Sequence, residues 1–255
     1  MRAASFLGLG VLMAGGLAAA IVLARPPIRL LDWLAARYPG CLYRVPVDAR
    51  MVALTLDDGP DPTTTPLILA ELERHHARAT FFLITDRVKG QEGLVQRLLA
   101  AGHELGNHFR RDRPSIGMSP EEFERDLDEA HRVLAQFGSV RWARPASGWY
   151  SQSMIRTMER HGYRCALGSV YPYDATIPSV AFSRRHLLRN VRPGAVLVLH
   201  DGGSRGQRTA RVLRAVLPEL ARRGFRVVAL SELVDAAQHA PAERSSDEPA
   251  RTARK

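Results

Sequence analysis

Asp57 and Asp58 are adjacent carboxylates at the end of an apolar stretch, in the sequence TLDDGP at residues 55–60. Two acidic side chains at the end of a buried strand repel each other, and both are costly to desolvate unless a cation or a strong hydrogen-bond donor compensates them. An Asx turn that caps the following helix would need only one of the two. The pair therefore predicts a functional site that uses both carboxylates.

A second group of ionisable residues follows another short strand, in the sequence GHELGNHFRRD at residues 102–112. His108 and Asp112 are four residues apart, a spacing that places both side chains on one face of a helical turn. Together with Asp58 they form a candidate set of three metal ligands that leaves one position open for water, as catalytic zinc sites require. The alternative for Asp112 is an exposed ion pair with a neighbouring arginine.

Three later segments also carry an ionisable residue at or just beyond the end of an apolar stretch. They are Arg144 in RPASG, Asp174 in YPYD and His200 in LVLHDG. Each of these signals is weak by itself. Because parallel α/β barrels build their active sites at the carboxyl ends of their strands, we expect all five segments to converge on one face.

The elements that must position these residues are strand-like blocks that alternate with helical segments. The blocks span residues 52–56, 80–84, 104–107, 141–144, 164–168, 195–200 and 226–230. Seven strands in such alternation predict a mostly parallel sheet. The clearest helix start is the sequence SPEE at residues 119–122, which combines an N-cap, a proline at the first helical position and a capping-box glutamate.

The two ends of the chain differ from its middle. Residues 3–24 carry no charge and would make a helix about 33 Å long at roughly 1.5 Å per residue. Residues 1–25 are therefore predicted to be a signal anchor or a cleaved signal peptide, and arginines on both sides leave its orientation open. We expect a juxtamembrane connector with a short amphipathic helix over residues 26–50, a catalytic domain over 51–237 and a disordered tail over 238–255.

The formal net charge of +10 raises the question of a nucleic-acid partner. The arginines are scattered through helices and the tail, and no recognised nucleic-acid motif accompanies them. We therefore expect no nucleic-acid partner. A basic surface also suits contact with anionic lipid or with an acidic envelope polymer. The two cysteines, Cys41 and Cys165, do not identify the compartment.

Taken in order, these motifs resemble those of the polysaccharide deacetylase family, also called carbohydrate esterase family four, over roughly residues 51–235. TLDDGP is similar to the first family motif, and GHELGNH to the approach to the second. The resemblance implies a deformed (β/α) barrel, here with about seven parallel strands, and hydrolysis of N- or O-acetyl groups on sugars such as chitin, peptidoglycan or xylan. It departs from the family at Asp112, where a histidine is usual, at Ser147, where an aromatic is usual, and around Asp174, where the usual tryptophan is missing.

The resemblance also implies a divalent cation, held here by Asp58, His108 and Asp112. Zn²⁺ is the first expectation. A third ligand that is a carboxylate rather than an imidazole adds negative charge, which keeps Mn²⁺, Co²⁺ and Ni²⁺ as alternatives.

The family mechanism suggests a role for each remaining residue. Asp57 would act as general base on the attacking water, and His200 as general acid towards the departing amine. Arg144 would keep Asp57 ionised and oriented, while Asp174 would orient His200 or raise its pKa. A backbone N–H near Ser147 would stabilise the oxyanion.

The expected substrate is an N-acylated glycan or glycolipid. The chain would be anchored in the cell envelope with an extracytoplasmic catalytic domain, or secreted if the N-terminal segment is cleaved. Two alternatives stay open, a deformylase or deacylase of a lipid-linked sugar and a non-catalytic sugar-binding protein with the same fold. A base and an acid on opposite sides of a metal favour an enzyme, because a binding protein needs neither.

Overall fold

A parallel β-sheet organises the residues that the computed structural model describes, which are 28–37 and 39–239. The strands are β1 (Cys41–Leu42), β2 (Met51–Gly59), β3 (Thr80–Leu83), β4 (Glu104–Asn107), β5 (Trp142–Ala143), β6 (Arg164–Ala166), β7 (Val196–His200) and β8 (Arg226–Val228). The helices are α1 (Ile28–Arg37), α2 (Thr65–Arg74), α3 (Glu92–Ala100), α4 (Pro120–Leu134), α5 (Gln152–Arg160), α6 (Val180–Asn190), α7 (Gly203–Arg222) and α8 (Leu230–Gln238).

The sheet has the strand order β1-β6-β5-β4-β3-β2-β7, and β8 pairs with β2. Every ladder between these strands is parallel. The two ends of this strand order are linked by isolated bridges, and in one of them the Val198 N–H donates to the Val170 carbonyl oxygen at 3.0 Å. The predicted α/β class with parallel strands is confirmed. A second isolated bridge, between Arg44 and Ala195, also joins the two ends, which are linked by bridges instead of a continuous ladder.

Strand β2 pairs with three other strands, β3, β7 and β8, and is buried along its whole length. Helices α2 and α7 pack against one another beside it, and Leu54 and Leu56 of β2 are almost wholly inaccessible to solvent. A parallel strand that is covered on both faces needs an apolar sequence, and only Thr55 interrupts the apolar residues before Asp57. The register pairs Asp57 with His200 of β7, so these two ionisable residues end adjacent strands.

The predicted start of the domain at residue 51 is too late. Strand β1 pairs with β6, with Cys41 opposite Cys165, and both Tyr43 and Val45 are buried in the core. A strand of two residues is too short to produce the alternation by which strands are recognised in a sequence. The helix expected within the connector is present as α1, and Asp32 ties it to the domain through an ion pair with Arg44 at 2.9 Å.

Helix α4 begins as predicted. The Ser119 hydroxyl accepts a hydrogen bond from the Glu122 N–H at 3.2 Å, and Pro120 occupies the first helical position. The Glu122 carboxylate, predicted at the capping-box position, also pairs with Arg113 at 2.7 Å.

Among the described residues, no helix combines the length and apolar character needed to cross a membrane. The predicted anchor at residues 1–25 and the predicted tail beyond residue 239 lie outside the described residues.

Candidate active site at the carboxyl edge of the sheet

Asp57 is buried at the end of β2 and faces a single arginine. The Arg144 Nη1 donates to the Asp57 Oδ1 at 2.5 Å. The same guanidinium donates from Nε to the Ala166 carbonyl oxygen at 2.7 Å, from Nη2 to the Leu167 carbonyl oxygen at 2.5 Å and from Nη1 to the Thr55 hydroxyl at 2.9 Å. Because backbone and hydroxyl oxygens fix the guanidinium, it presents a stationary positive charge to the carboxylate.

Asp58 adopts a left-handed backbone conformation, with φ of 72°, that turns its side chain towards His108. Non-glycine residues rarely take this conformation, and such positions cluster at functional sites. The Asp58 Oδ1 lies 3.5 Å from the His108 Nε2. Burial alone would raise the pKa of Asp58, but the hydrogen bond and charge of His108, together with the charges of His200 and Arg205, lower it to about 2.

The orientation of His108 is set by its other ring nitrogen. The His108 Nδ1 lies 2.7 Å from the carbonyl oxygen of Arg144, which can only accept, so Nδ1 carries a hydrogen. This leaves Nε2 directed at Asp58. A backbone carbonyl that orients a histidine in this way is typical of metal-ligating histidines.

Asp112 does not join the other two predicted ligands. Its Oδ2 lies 3.3 Å from the Arg87 Nη2 and 3.7 Å from the Arg205 Nη2, and 42% of its side chain is exposed. Within the described part of the chain, no cluster of three or more histidine, cysteine, aspartate or glutamate side chains could hold a metal ion. The four-residue spacing assumed a helical turn, whereas Phe109 has φ of 66° and the chain beyond it bends irregularly.

His200 ends β7 and is paired with Asp174. Its Nδ1 lies 3.0 Å from the Asp174 Oδ1, and its backbone N–H donates to the Asp174 Oδ2 at 3.0 Å. Burial alone would lower the pKa of His200, but the hydrogen bond and charge of Asp174, with the charges of Asp57 and Asp58, raise it to about 9. This raised pKa favours the imidazolium at neutral pH, in which both ring nitrogens carry a proton and Nε2 can donate one.

The third motif forms a short 3₁₀ turn, Ala146–Gly148, directly after the strand end that carries Arg144. Ser147 has φ of 67° and is exposed. Trp149, the next residue but one, is 68% exposed, so an aromatic side chain does border this strand end although Ser147 is not aromatic.

Three residues around the site were missed from the sequence. Asp201 is buried, donates its N–H to the Asp57 carbonyl oxygen at 2.7 Å and accepts from the Thr64 hydroxyl at 2.5 Å. It thereby ties β7 to the loop after β2, and its place next to His200 was the available signal. Arg87 and Arg205, which flank Asp58 and Asp112, had no such signal because arginines are abundant throughout the chain.

Comparisons with known proteins agree with this geometry. The polysaccharide deacetylase family model matches residues 44–166. A peptidoglycan-N-acetylglucosamine deacetylase of Bacillus cereus is 35% identical over 195 residues, which cover 75% of this chain and 92% of the relative. A chitooligosaccharide deacetylase of Bradyrhizobium is 33% identical over 198 residues, which cover 72% of this chain and 90% of the relative.

Solved structures share the fold. A peptidoglycan N-acetylglucosamine deacetylase bound to a hydroxamate-type benzamide has a TM-score of 0.74 at 27% identity and covers 80% of this chain and 96% of its own. An acetyl xylan esterase from Clostridium thermocellum with a cobalt ion has a TM-score of 0.68 at 26% identity, and the match covers 72% of this chain and 90% of the esterase. A pseudoenzyme of the same esterase family from Bacillus anthracis has a TM-score of 0.70 at 25% identity, and the match covers 78% of this chain and 70% of the pseudoenzyme.

The deacetylase relatives define the class of this protein as a hydrolase of carbon–nitrogen bonds other than peptide bonds, and its parallel α/β sheet with carboxylates and histidines at the carboxyl edge agrees with that class. Within that class, the chain belongs to the polysaccharide deacetylase family.

Proposed function

We propose that the chain removes acetyl groups from N-acetylated sugars of a cell-envelope glycan, with Asp57 as general base and His200 as general acid. The observation that carries this proposal is their arrangement. The two residues pair in register at the ends of β2 and β7, with a carboxylate held against Arg144 and an imidazolium held against Asp174. Base and acid of opposite charge at one strand edge are what amide hydrolysis requires.

The proposed reaction breaks the bond between the acetyl carbon and the sugar nitrogen. Asp57 accepts a proton from the water whose oxygen attacks the carbonyl carbon, and Arg144 keeps Asp57 oriented. The His200 Nε2 gives a proton to the departing nitrogen, while Asp174 holds Nδ1. The products are acetate and a free amine on the sugar. We retain the backbone N–H groups near Ser147 as candidate donors to the oxyanion.

A divalent cation fits part of the predicted ligand set. The Asp58 Oδ1 and the His108 Nε2 are buried, 3.5 Å apart, and oriented by hydrogen bonds, so these two residues would hold it. The cation would supply Lewis-acid chemistry, polarising the carbonyl oxygen and acidifying water. Zn²⁺ is our first choice, and Mn²⁺, Co²⁺ and Ni²⁺ stay open; one family structure contains cobalt. Asp112 is engaged by two arginines and would have to leave them to become a third ligand.

The substrate class follows from the relatives that act on peptidoglycan and on chitooligosaccharides, both built from N-acetylglucosamine. The purified chain is expected to release acetate, with an equal amount of free amine, from one of these two substrates, and to lose that activity with a chelator. Acetate should be measured enzymatically and amines by derivatisation, with the Asp57→Asn variant as the blank. Formate release from a lipid-linked sugar would instead favour the deformylase alternative, and sugar binding without turnover would favour the non-catalytic one.

We further propose that residues 1–25 anchor the enzyme to a membrane beside its substrate, with the catalytic domain outside the cytoplasm. The uncharged run of residues 3–24 supports this. The full-length chain should sediment with membranes, and a variant without residues 1–24 should stay in the supernatant and act on soluble glycans. Recovery of the full-length chain only in the soluble fraction would contradict the anchor, and a mature N-terminus at Arg25 would establish cleavage and secretion.

A further inference from the structure

Two arginines contact Asp58, Arg205 at its carboxylate and Arg87 at its backbone. The Arg205 Nη1 is 2.9 Å from the Asp58 Oδ2, and the Arg87 Nη1 donates to the Asp58 backbone carbonyl oxygen. The second nitrogens of both guanidiniums face the Asp112 Oδ2, at 3.3 Å from Arg87 and 3.7 Å from Arg205. Arg205 therefore bridges a buried carboxylate, which the proposed function assigns to the cation, and an exposed one.

Both arginines are partly exposed and lie near the start of a helical segment. Arg205 lies in the first turn of α7 and Arg87 in the 3₁₀ turn Thr85–Arg87 after β3. Their side chains are 34% and 38% exposed, and they border an open cavity of about 410 Å³ that Asp61 and Ser204 also line. A long side chain at such a place can change partners without disturbing the core.

The two oxygens of Asp58 have different partners. Oδ1 faces His108 and Oδ2 faces Arg205. A divalent cation bound to Asp58 would lie within a few ångströms of the guanidinium, and two positive charges at such a distance repel strongly in a partly buried site. Binding of the cation to the Asp58 carboxylate therefore weakens the ion pair with Arg205, and the ion pair weakens binding of the cation.

We propose that Arg205 competes with the divalent cation for Asp58, and that Asp112 accepts the displaced guanidinium. Asp112 is already within 3.7 Å of the Arg205 Nη2 and is steadied by Arg87. This assigns a function to an aspartate that the structure separates from Asp58 and His108. The inference rests on the proposed function in one respect, that Asp58 and His108 form a cation site.

The test is the affinity of the purified full-length protein for Zn²⁺ and Mn²⁺, after removal of metal with a chelator. Metal binding is measured in competition with a chelating dye. Arg205→Ala is expected to bind Zn²⁺ about tenfold or more tightly than the parent, since it removes both the competitor and its charge. Arg205→Lys should fall between them, because an ammonium keeps the charge but lacks the planar fork.

Arg211→Ala is the matched control. Arg211 is exposed on the same helix, so its replacement removes one positive charge without changing the contacts of Asp58. The Zn²⁺ affinity of this variant should stay within about twofold of the parent. Thermal unfolding gives a second reading that does not depend on turnover. A fixed Zn²⁺ concentration should raise the Tm of Arg205→Ala by more than that of the parent, because tighter binding stabilises the folded state by mass action.

Equal or weaker Zn²⁺ affinity in Arg205→Ala would overturn the competition, and so would the absence of binding in both proteins. The proposed function fails separately. If the parent releases no acetate from any glycan while Arg205→Ala still binds Zn²⁺ more tightly, the competition stands and the activity does not. If acetate is released and the affinities are equal, the activity stands and the competition does not.

Discussion

Replacing Asp57 by asparagine is expected to lower the rate of deacetylation by about 10²–10⁴-fold, the usual contribution of a positioned general base. The substitution removes the proton acceptor while keeping an oxygen that can accept the hydrogen bond from Arg144. Arg144 is also held by Thr55, Ala166 and Leu167, so the local structure should persist. Turnover of an N-acetylated oligosaccharide and bound metal should be measured on the same preparation.

The Asp57→Asn variant has a specific structural risk. It leaves the buried guanidinium of Arg144 without a counter-ion, and breaking a buried pair in this way is destabilising. Circular dichroism and thermal unfolding are therefore required beside the rate, and a folded variant with parental metal content is the expected result. Loss of metal together with the rate would mean that Asp57 is itself a ligand, and the assignment of the base would have to be abandoned.

Replacing His200 by glutamine is expected to cost a similar factor, about 10²–10⁴-fold, because the departing nitrogen loses its proton donor. The acid must be protonated to act, so the parental rate should be sustained below the His200 pKa of about 9 and fall as the pH rises through it. The residual rate of the variant should not fall in that range. Rates from pH 6 to about 10 would show this alkaline limb in one protein and not in the other.

The ion pair between His200 and Asp174 should also affect the stability of the fold. The pKa of His200 is raised in the folded state from its ordinary value of 6.5 to about 9, so its contact with Asp174 contributes fully just below pH 6.5 and loses its contribution as the pH rises through about 9. The Tm difference between parent and His200→Gln should therefore shrink as the pH approaches that value. A decline in the parental rate above pH 9 that persists in the variant would identify another residue as the acid.

Much of the site follows from the sequence because of one geometric rule. In a parallel sheet the carboxyl ends of all strands lie on one edge, so an ionisable residue at the end of an apolar block must face the others. Asp57, Asp58, His108, Arg144 and His200 were found in this way, and the structure brings them to that edge. The apolar blocks themselves are readable because strands buried on both faces need continuous apolar sequence.

The position of Asp112 could not be derived from the sequence. The prediction of a three-ligand set treated residues 108–112 as a helical turn, and that assumption fails at Phe109. Its carboxylate pairs instead with Arg87 and Arg205, which are respectively 25 and 93 residues away along the chain. Ion pairs between such distant residues leave no spacing pattern, since only folding determines which of many arginines meets a given carboxylate.

The sequence by itself determined the parallel α/β class, the strand-end positions of the reactive residues and the family. Each depends on local periodicity or on contiguous motifs. The tertiary structure alone decided that β1 belongs to the domain, that Asp201 ties β7 to the loop after β2, and that Arg205 shares Asp58 with His108. The physical reason is the separation of the interacting residues along the sequence. Periodicity shows which face of an element is buried, whereas the partner of a polar side chain depends on the packing of elements that are remote in sequence.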